Sequence, residues 1–314
     1  MDPNLVQWKR EGQSFLRRLR MWINLLDPAL LLSSDAEILK AHTLLGSGQK
    51  LDEKDNAAVN ISLSSFHADS GAALPLVFRP PAFLPISGPL VVGTLLPHSN
   101  VKPALFWQFL LQSYNAGFNN ANRNSSTEQG KTTSLKQLLL IAGTVSYTAV
   151  AGALPQIFIN RLHIRSPPLQ TFCRSILPIP LSAALAFLNV FTVRSEETET
   201  GIQVFDYNGN PVGISKAAAE KAVRETAFSR AALFGSTAAV PNLLVLLLQR
   251  RRFFQKNSLL VAPCRHISVA LVLGLMIPVS FSLFPQLGTI KRENLEEELQ
   301  AGAVGSQLFY HRGL

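Results

Sequence analysis

Four long apolar stretches without a charged residue dominate the second half of the chain. Each is 19 to 24 residues long, and about 20 apolar residues are enough to cross a bilayer as an α-helix. Buried core helices of a soluble protein are the alternative, but four such stretches favour a membrane protein. The pattern predicts transmembrane helices at Gln137–Asn160, Ser175–Val193, Ala231–Gln249 and Ile267–Ile290.

A weaker fifth candidate precedes these four helices. Val101–Ala121 is apolar enough to be a transmembrane helix, although it contains Lys102 and a row of glutamine and asparagine side chains. With this segment counted, the sequence predicts an all-α membrane protein with five transmembrane helices. An odd number of spans places the two termini on opposite sides of the membrane.

The segment immediately before these helices is apolar but rich in proline. Each proline inside a helix removes one backbone hydrogen-bond donor, which is costly in a bilayer. We therefore expect residues 74–97 to be interfacial or re-entrant rather than a full span. The prolines are Pro75, Pro80, Pro81, Pro85, Pro89 and Pro97.

The remaining parts of the chain are more polar. Residues 1–73 predict a soluble or amphipathic helical region, in which Ser34 and Glu37 form a capping box. Between the third and fourth spans, 194–230 predicts a small extramembrane loop with a hairpin turn at Asn208-Gly209. The predicted organisation is thus a helical region (1–73), a proline-rich segment (74–97), a transmembrane domain (98–290) and a C-terminal tail (291–314).

The charge distribution predicts how the chain is oriented in the membrane. The chain carries 16% charged residues and a net charge of +9, but it has no nucleic-acid-binding motif. The excess of arginine and lysine falls in the loops at 161–174 and 250–266, whereas the loop at 194–230 contains six acidic residues. The positive-inside rule places the two arginine-rich loops, and with them the N-terminus, on the matrix or cytoplasmic side. The C-terminus is then expected opposite.

A stripe of amides marks the candidate site. Spacings of four, three, four and three residues put five amides on one face of the first span, with Arg123 after them and Ser113 nearby. Amides donate and accept hydrogen bonds without a charge, so they can bind a zwitterionic amino acid. Packing between helices is the equal alternative. The amides are Gln108, Gln112, Asn115, Asn119 and Asn122.

Two further candidates are less specific. Pro241 breaks a span beside the amide of Asn242, and broken helices expose backbone groups that transporters use. His67 and Asp69 can form a polar pair at the membrane surface, although a solvated loop is the default interpretation. We find no catalytic motif, cofactor-binding motif or metal-ligand spacing, so we expect a protein that is not an enzyme and has no cofactor or metal.

Four stretches resemble the sideroflexin family of mitochondrial inner-membrane proteins. The resemblance implies five spans, the matrix as the arginine-rich side with the C-terminus in the intermembrane space, and transport of serine-like amino acids. The second stretch is similar to the family's His-Pro-Asp-Thr-Gly motif, and the first to its amide-rich span. The stretches are Trp107–Arg123, His67–Gly71, Gly201–Arg230 and Ala262–Leu299.

Some residues depart from the family pattern near the presumed path. Ala68 replaces the motif's proline, Leu111 stands where the family has asparagine, and Asn242 replaces a proline. The pattern resembles the most divergent vertebrate branch, which is associated with assembly of respiratory complex I. Two hypotheses follow. One is a neutral amino-acid carrier with altered or lost serine transport; the alternative is a non-transporting assembly factor that contacts complex I assembly proteins.

Overall fold

The computed structural model describes most of the chain. The described residues are 2–12, 14–47, 55–67, 69–96, 98, 100–124, 134–162, 166–302 and 305–314. Ala68 and Pro97, which were named above from the sequence, lie outside these ranges.

Most of the described residues are helical. The α-helices are α1 (Pro3–Glu11), α2 (Phe15–Leu25), α3 (Asp35–Gly46), α4 (Asn56–Ser65), α5 (Phe83–Leu95), α6 (Val101–Ala121), α7 (Leu135–Arg161), α8 (Pro167–Thr171), α9 (Pro178–Val193), α10 (Ser195–Thr200), α11 (Lys216–Leu248), α12 (Arg252–Lys256), α13 (Val261–Ser282) and α14 (Glu297–Gly302). Short 3-10 helices cover Pro28–Leu32, Leu76–Phe78, Pro80–Ala82, Ser258–Leu260 and Arg292–Asn294, and a π-helical turn, Phe172–Ile176, joins α8 to α9. The strands are β1 (Ile202–Phe205), β2 (Pro211–Ser215), β3 (Leu287–Lys291) and β4 (Gln307–His311).

Within the described residues, four helices are long and apolar enough to cross a membrane. They contain the first three uncharged stretches almost entirely, and the membrane-helix character predicted from the sequence is confirmed. The fourth stretch, Ile267–Ile290, was predicted too long, because α13 ends at Ser282 and Leu287–Ile290 belong to β3. The fifth predicted span, α6, is a helix of 21 residues but is not among the four, because its amides lower its hydropathy. The four are Leu135–Arg161, Pro167–Val193, Lys216–Leu248 and Val261–Ser282.

The proline-rich segment enters the helical bundle. After two 3-10 turns, α5 runs antiparallel to α6: the Phe83 ring packs 4.6 Å from that of Phe118, and Gly93 lies against Trp107. Pro80 and Pro81 open a 3-10 helix and only Pro89 lies deep inside α5. Pro75 and Pro85 also lie at helix starts, where a missing donor costs little. Residues 83–95 are thus a packed helix of 13 residues, and the expectation of an interfacial or re-entrant segment stays a prediction.

One end of the bundle carries a four-stranded antiparallel sheet, and we call it the sheet end. The strand order is β2-β1-β4-β3, with Ile202 opposite Ser215 and Val204 opposite Tyr310. The loop between α9 and α11 supplies β1 and β2, and the C-terminal segment supplies β3 and β4. The predicted C-terminal tail is therefore a structural part of this end. The opposite end, with Arg174 and Arg250–Arg252, is the arginine end.

The N-terminal helices pack on the sheet end as well. The Arg18 guanidinium donates to the Ser282 carbonyl at 2.9 Å, and the Trp22 ring meets Phe281 edge-on at 5.0 Å. The backbone N–H of Leu314 donates to the carbonyl of Asn122 at that same end. Both ends of the chain thus lie at the sheet end, whereas the sequence predicted the termini on opposite sides of the membrane. The chain takes this course because α5 carries it from the sheet end towards the arginine end before α6 returns.

Candidate functional site: a polar cavity inside the bundle

A cavity of about 120 Å³ lies between α5, α6, α7, α9 and α11, on the arginine side of the bundle centre. One water molecule needs only about 10–15 Å³ of such space, so the cavity has room for a small solute. Apolar side chains form much of its wall, and hydrogen-bonding groups reach it from several helices. Among these groups are Thr94, Gln108, Gln112, Asn115, Ser182 and Thr237.

The structure divides the predicted amide stripe into two parts. Gln108, Gln112 and Asn115 line the cavity, since spacings of four and three residues keep them on one face of α6. The carboxamide of Gln108 fills the place that a Cβ on Gly152 of α7 would need. A glycine at this position therefore lets the glutamine lie between the two helices.

The next amide, Asn119, belongs to a contact between helices. Its Nδ2 donates to Oδ1 of Asn189 on α9 at 3.0 Å, and Nδ2 of Asn189 donates to Oε1 of Gln112 at 3.2 Å. All three residues are buried. Asn119 thus makes a contact between helices, whereas Gln108, Gln112 and Asn115 line the cavity. Sequence reasoning missed Asn189, although a lone amide in the apolar stretch 175–193 was a usable signal.

The last two members of the stripe hold the sheet end together. Nδ2 of Asn122 donates to the carbonyls of Phe78 and Phe118, at 3.0 and 2.9 Å. Arg123 forms an ion pair of 2.8 Å with Glu196. These contacts fasten the end of α6 and do not reach the cavity. Ser113 is half-buried on α6 and does not line the cavity.

His67 also lies at the sheet end rather than beside the cavity. Its ring meets that of His311 edge-on at 5.6 Å, and both line a second cavity of about 30 Å³. Burial lowers the pKa of His67 below its usual value, and the charge of nearby Asp69 offsets this only in part. The predicted polar pair is therefore part of the packing of the N-terminal region on the C-terminal strands.

Pro241 and Asn242 act on the cavity indirectly. Both are buried in α11, and neither lines the cavity. Oδ1 of Asn242 accepts a hydrogen bond from Nη2 of Arg265 at 2.5 Å, and Arg265 is a lining residue. Asn242 thus orients a cation towards the cavity.

The cavity is basic at its open end. Arg174 and Arg265 line it there, and its lining contains no Asp or Glu among the described residues. From the sequence, the charges of these loops predicted only the topology. That the side chains of Arg174 and Arg265 turn into the bundle was missed. Among the described residues, no group of three His, Cys, Asp or Glu side chains is placed to hold a metal ion.

Two buried atoms of the lining lack hydrogen-bond partners within the described part of the chain. They are Nε of Arg265, a donor that carries positive charge, and Oε1 of Gln108, an acceptor. Buried polar atoms are rarely left unsatisfied. The wall of the cavity therefore combines a cationic donor with a neutral acceptor.

Comparisons with known proteins match the whole chain. A family model described as Sideroflexins matches residues 2–314. Sideroflexin-4 of Danio rerio is 55% identical over 317 residues, and Sideroflexin-4 of Mus musculus is 37% identical over 320, each match covering 100% of both chains. Sideroflexin-5 of Homo sapiens is 29% identical, over 96% of this chain and 90% of its own. No solved structure matches the chain.

Proposed function

Because this chain belongs to the sideroflexin family of multi-pass membrane proteins, we propose that it carries small neutral amino acids across a membrane and is not an enzyme. The observation that supports the proposal is a pair of unsatisfied atoms on two residues of the cavity wall, Nε of Arg265 and Oε1 of Gln108. An amino-acid carboxylate is the natural partner of a guanidinium, and its ammonium group is the natural partner of an amide oxygen. The neighbouring amides, Gln112 and Asn115, then bind a polar side chain.

A carrier also needs a barrier on the far side of its solute. Above the cavity, towards the sheet end, the rings of Phe83, Tyr114, Phe118 and Phe281 pack at centroid distances between 4.6 and 6.4 Å. The network of Asn119 and Asn189 lies beside them. This arrangement corresponds to a state open towards the arginine end and closed at the sheet end. Transport requires that α5 and α6 separate from α13.

The membrane and its orientation are also part of the proposal. We place the protein in the mitochondrial inner membrane, with α6 as a fifth span and the arginine end in the matrix. The support is the excess of arginine in the loops at that end. The sheet end, with both termini, then faces the intermembrane space.

Uptake by the purified full-length protein in liposomes tests the proposal. We expect saturable uptake of at least one labelled neutral amino acid, and a loss of about tenfold or more in Arg265→Gln. Breaking a charge-assisted hydrogen bond costs about 1.5–3 kcal/mol, and 1.4 kcal/mol is a factor of ten. Arg250→Gln is the matched control, since Arg250 lies exposed at the same end. Absence of uptake for every neutral amino acid would refute the carrier.

One observation favours the alternative, a non-transporting assembly factor for respiratory complex I. Leu111 is buried and lines the cavity between Gln108 and Gln112, so an apolar group stands where the resemblance implies an amide. In cells lacking the protein, the assembly hypothesis predicts that Arg265→Gln restores complex I as fully as the wild type. The carrier hypothesis predicts that Leu111→Asn raises serine uptake and that Arg265→Gln fails to rescue.

A further inference from the structure

A second group of unsatisfied donors lies at the sheet end, next to the aromatic rings above the cavity. Arg230 on α11 is only 3% exposed and Arg312, in the C-terminal segment, only 1%. Within the described residues, Nε and Nη2 of Arg230 and Nε and Nη1 of Arg312 are buried without a hydrogen-bond partner. Burying a charged donor without a partner costs several kcal/mol, so two such side chains need an explanation.

The two guanidiniums meet at one phenylalanine. The guanidinium of Arg230 lies 4.2 Å from the centre of the Phe281 ring, and Nη2 of Arg312 donates to the Phe281 carbonyl at 3.2 Å. The Trp22 ring packs on the same phenylalanine, and its indole Nε1 is also buried without a partner among the described residues. Three side chains with unused donors therefore contact Phe281: Arg230 and Trp22 at its ring, and Arg312 at its carbonyl.

The nearby carboxylates do not balance these cations. Both carboxylate oxygens of Glu197 accept hydrogen bonds from Arg194, and Asn124 donates to the same carboxylate. Glu225 accepts from the hydroxyl of Tyr310 and shares its charge with Lys221 and Arg312. Three guanidiniums thus face two carboxylates, and the charges acting on Arg230 come from Arg194 and Arg312, which repel it.

The aromatic rings around Arg230 only partly compensate for its charge. Its guanidinium lies 5.7 and 5.8 Å from the rings of Phe83 and Phe118, in addition to Phe281. Cation–π contacts attract the guanidinium to the ring faces, but they do not replace hydrogen bonds to the N–H groups. An anion placed among the donors would satisfy both the hydrogen bonds and the charge.

We propose that Arg230, Arg312 and Trp22 form a buried binding site for a small monovalent anion at the sheet end. The donors suit either an inorganic halide or a small carboxylate, since both accept several N–H bonds at once. The site joins α2, α11, α13 and the C-terminal segment. Its anion therefore stabilises the packing of the N-terminal helices on the bundle, whatever the central cavity carries.

Thermal unfolding of the purified full-length protein tests this site. At constant ionic strength, chloride and acetate are titrated separately against gluconate, which is too bulky to enter. We expect the Tm to rise with the bound anion by about 3 °C for each tenfold increase above its dissociation constant. A response to chloride alone identifies an inorganic ion as the ligand, and a response to acetate alone identifies a carboxylate. Equal Tm values in all three salts would overturn the proposal.

Two variants locate the effect. Arg230→Met keeps the length and apolar stem of the side chain but removes the charge, so we expect it to lose the anion response. In gluconate its Tm should equal or exceed that of the wild type, because an uncompensated charge is gone. Arg224→Met is the matched control, since Arg224 lies exposed on the same helix, and it should respond like the wild type.

Two results would contradict the proposed anion site. An undiminished anion response in Arg230→Met would place the anion elsewhere and refute the assignment. If Arg230→Met does not fold, Trp22 supplies a second measurement in the wild type. Because its ring touches Phe281, its fluorescence should change with the same anion dependence as the Tm, and an unchanged fluorescence would contradict the site.

Discussion

Replacing Asn189 by leucine tests whether the inner amides hold α6 to α9. The Asn189 amide donates to Oε1 and to the carbonyl oxygen of Gln112, at 3.2 and 3.4 Å, and accepts from Asn119 at 3.0 Å. Hydrogen bonds between membrane helices contribute about 0.6 kcal/mol each on average, so three bonds give roughly 2 kcal/mol. Leucine has a similar volume and leaves no large cavity.

We expect Asn189→Leu to lower the Tm by about 4–8 °C, using roughly 2–4 °C per kcal/mol for a chain of this size class. The measurement is thermal unfolding of the detergent-purified protein. Leu188→Ala is the control, because Leu188 is 42% exposed on the same helix and should shift the Tm far less.

The double variant distinguishes a hydrogen bond from a general packing effect. With Asn189→Leu alone, the Asn119 amide remains buried without its partner, which is the costly situation. Adding Asn119→Leu removes that orphaned group, so the double variant should regain part of the lost Tm. A neutral Asn189→Leu, or a double variant whose loss equals the sum of the two single losses, would refute the network.

Three further predictions follow from the packing. Gly152→Ala should displace the Gln108 amide and reduce any uptake through the cavity, whereas Gly143→Ala, with open space at its Cβ, should not. Burial lowers the pKa of His311 well below 6.5, so the folded state resists protonation. The free energy of unfolding, measured with urea, should therefore fall as the pH drops below about 6.5, by up to about 1.4 kcal/mol per pH unit. His311→Asn should flatten this slope. Tags fused at the two ends of the chain should respond alike to protease added to one side of a sealed membrane, and digestion of only one tag would contradict the contact of both termini with the sheet end.

Local signals in the sequence were sufficient for the helices themselves. The four uncharged stretches specified membrane helices because a bilayer excludes charge along a whole segment, whatever its neighbours are. The capping box at Ser34 and Glu37 is present in the structure, and so is the Ser215 cap at the start of α11. Such caps join residues three positions apart, so the sequence alone determines them.

The roles of individual polar residues were decided only by tertiary packing. Gln112 and Asn119 share one face of α6, but the position of Asn189 on α9 turns Asn119 into a helix contact and leaves Gln108 and Asn115 facing the cavity. Similarly, β1 pairs with β4 across about one hundred residues, which brings the C-terminal segment onto the loop between α9 and α11. Partners this distant in sequence are chosen by the assembled bundle, because a side chain's surroundings depend on which helices pack against it and not on its spacing within its own helix.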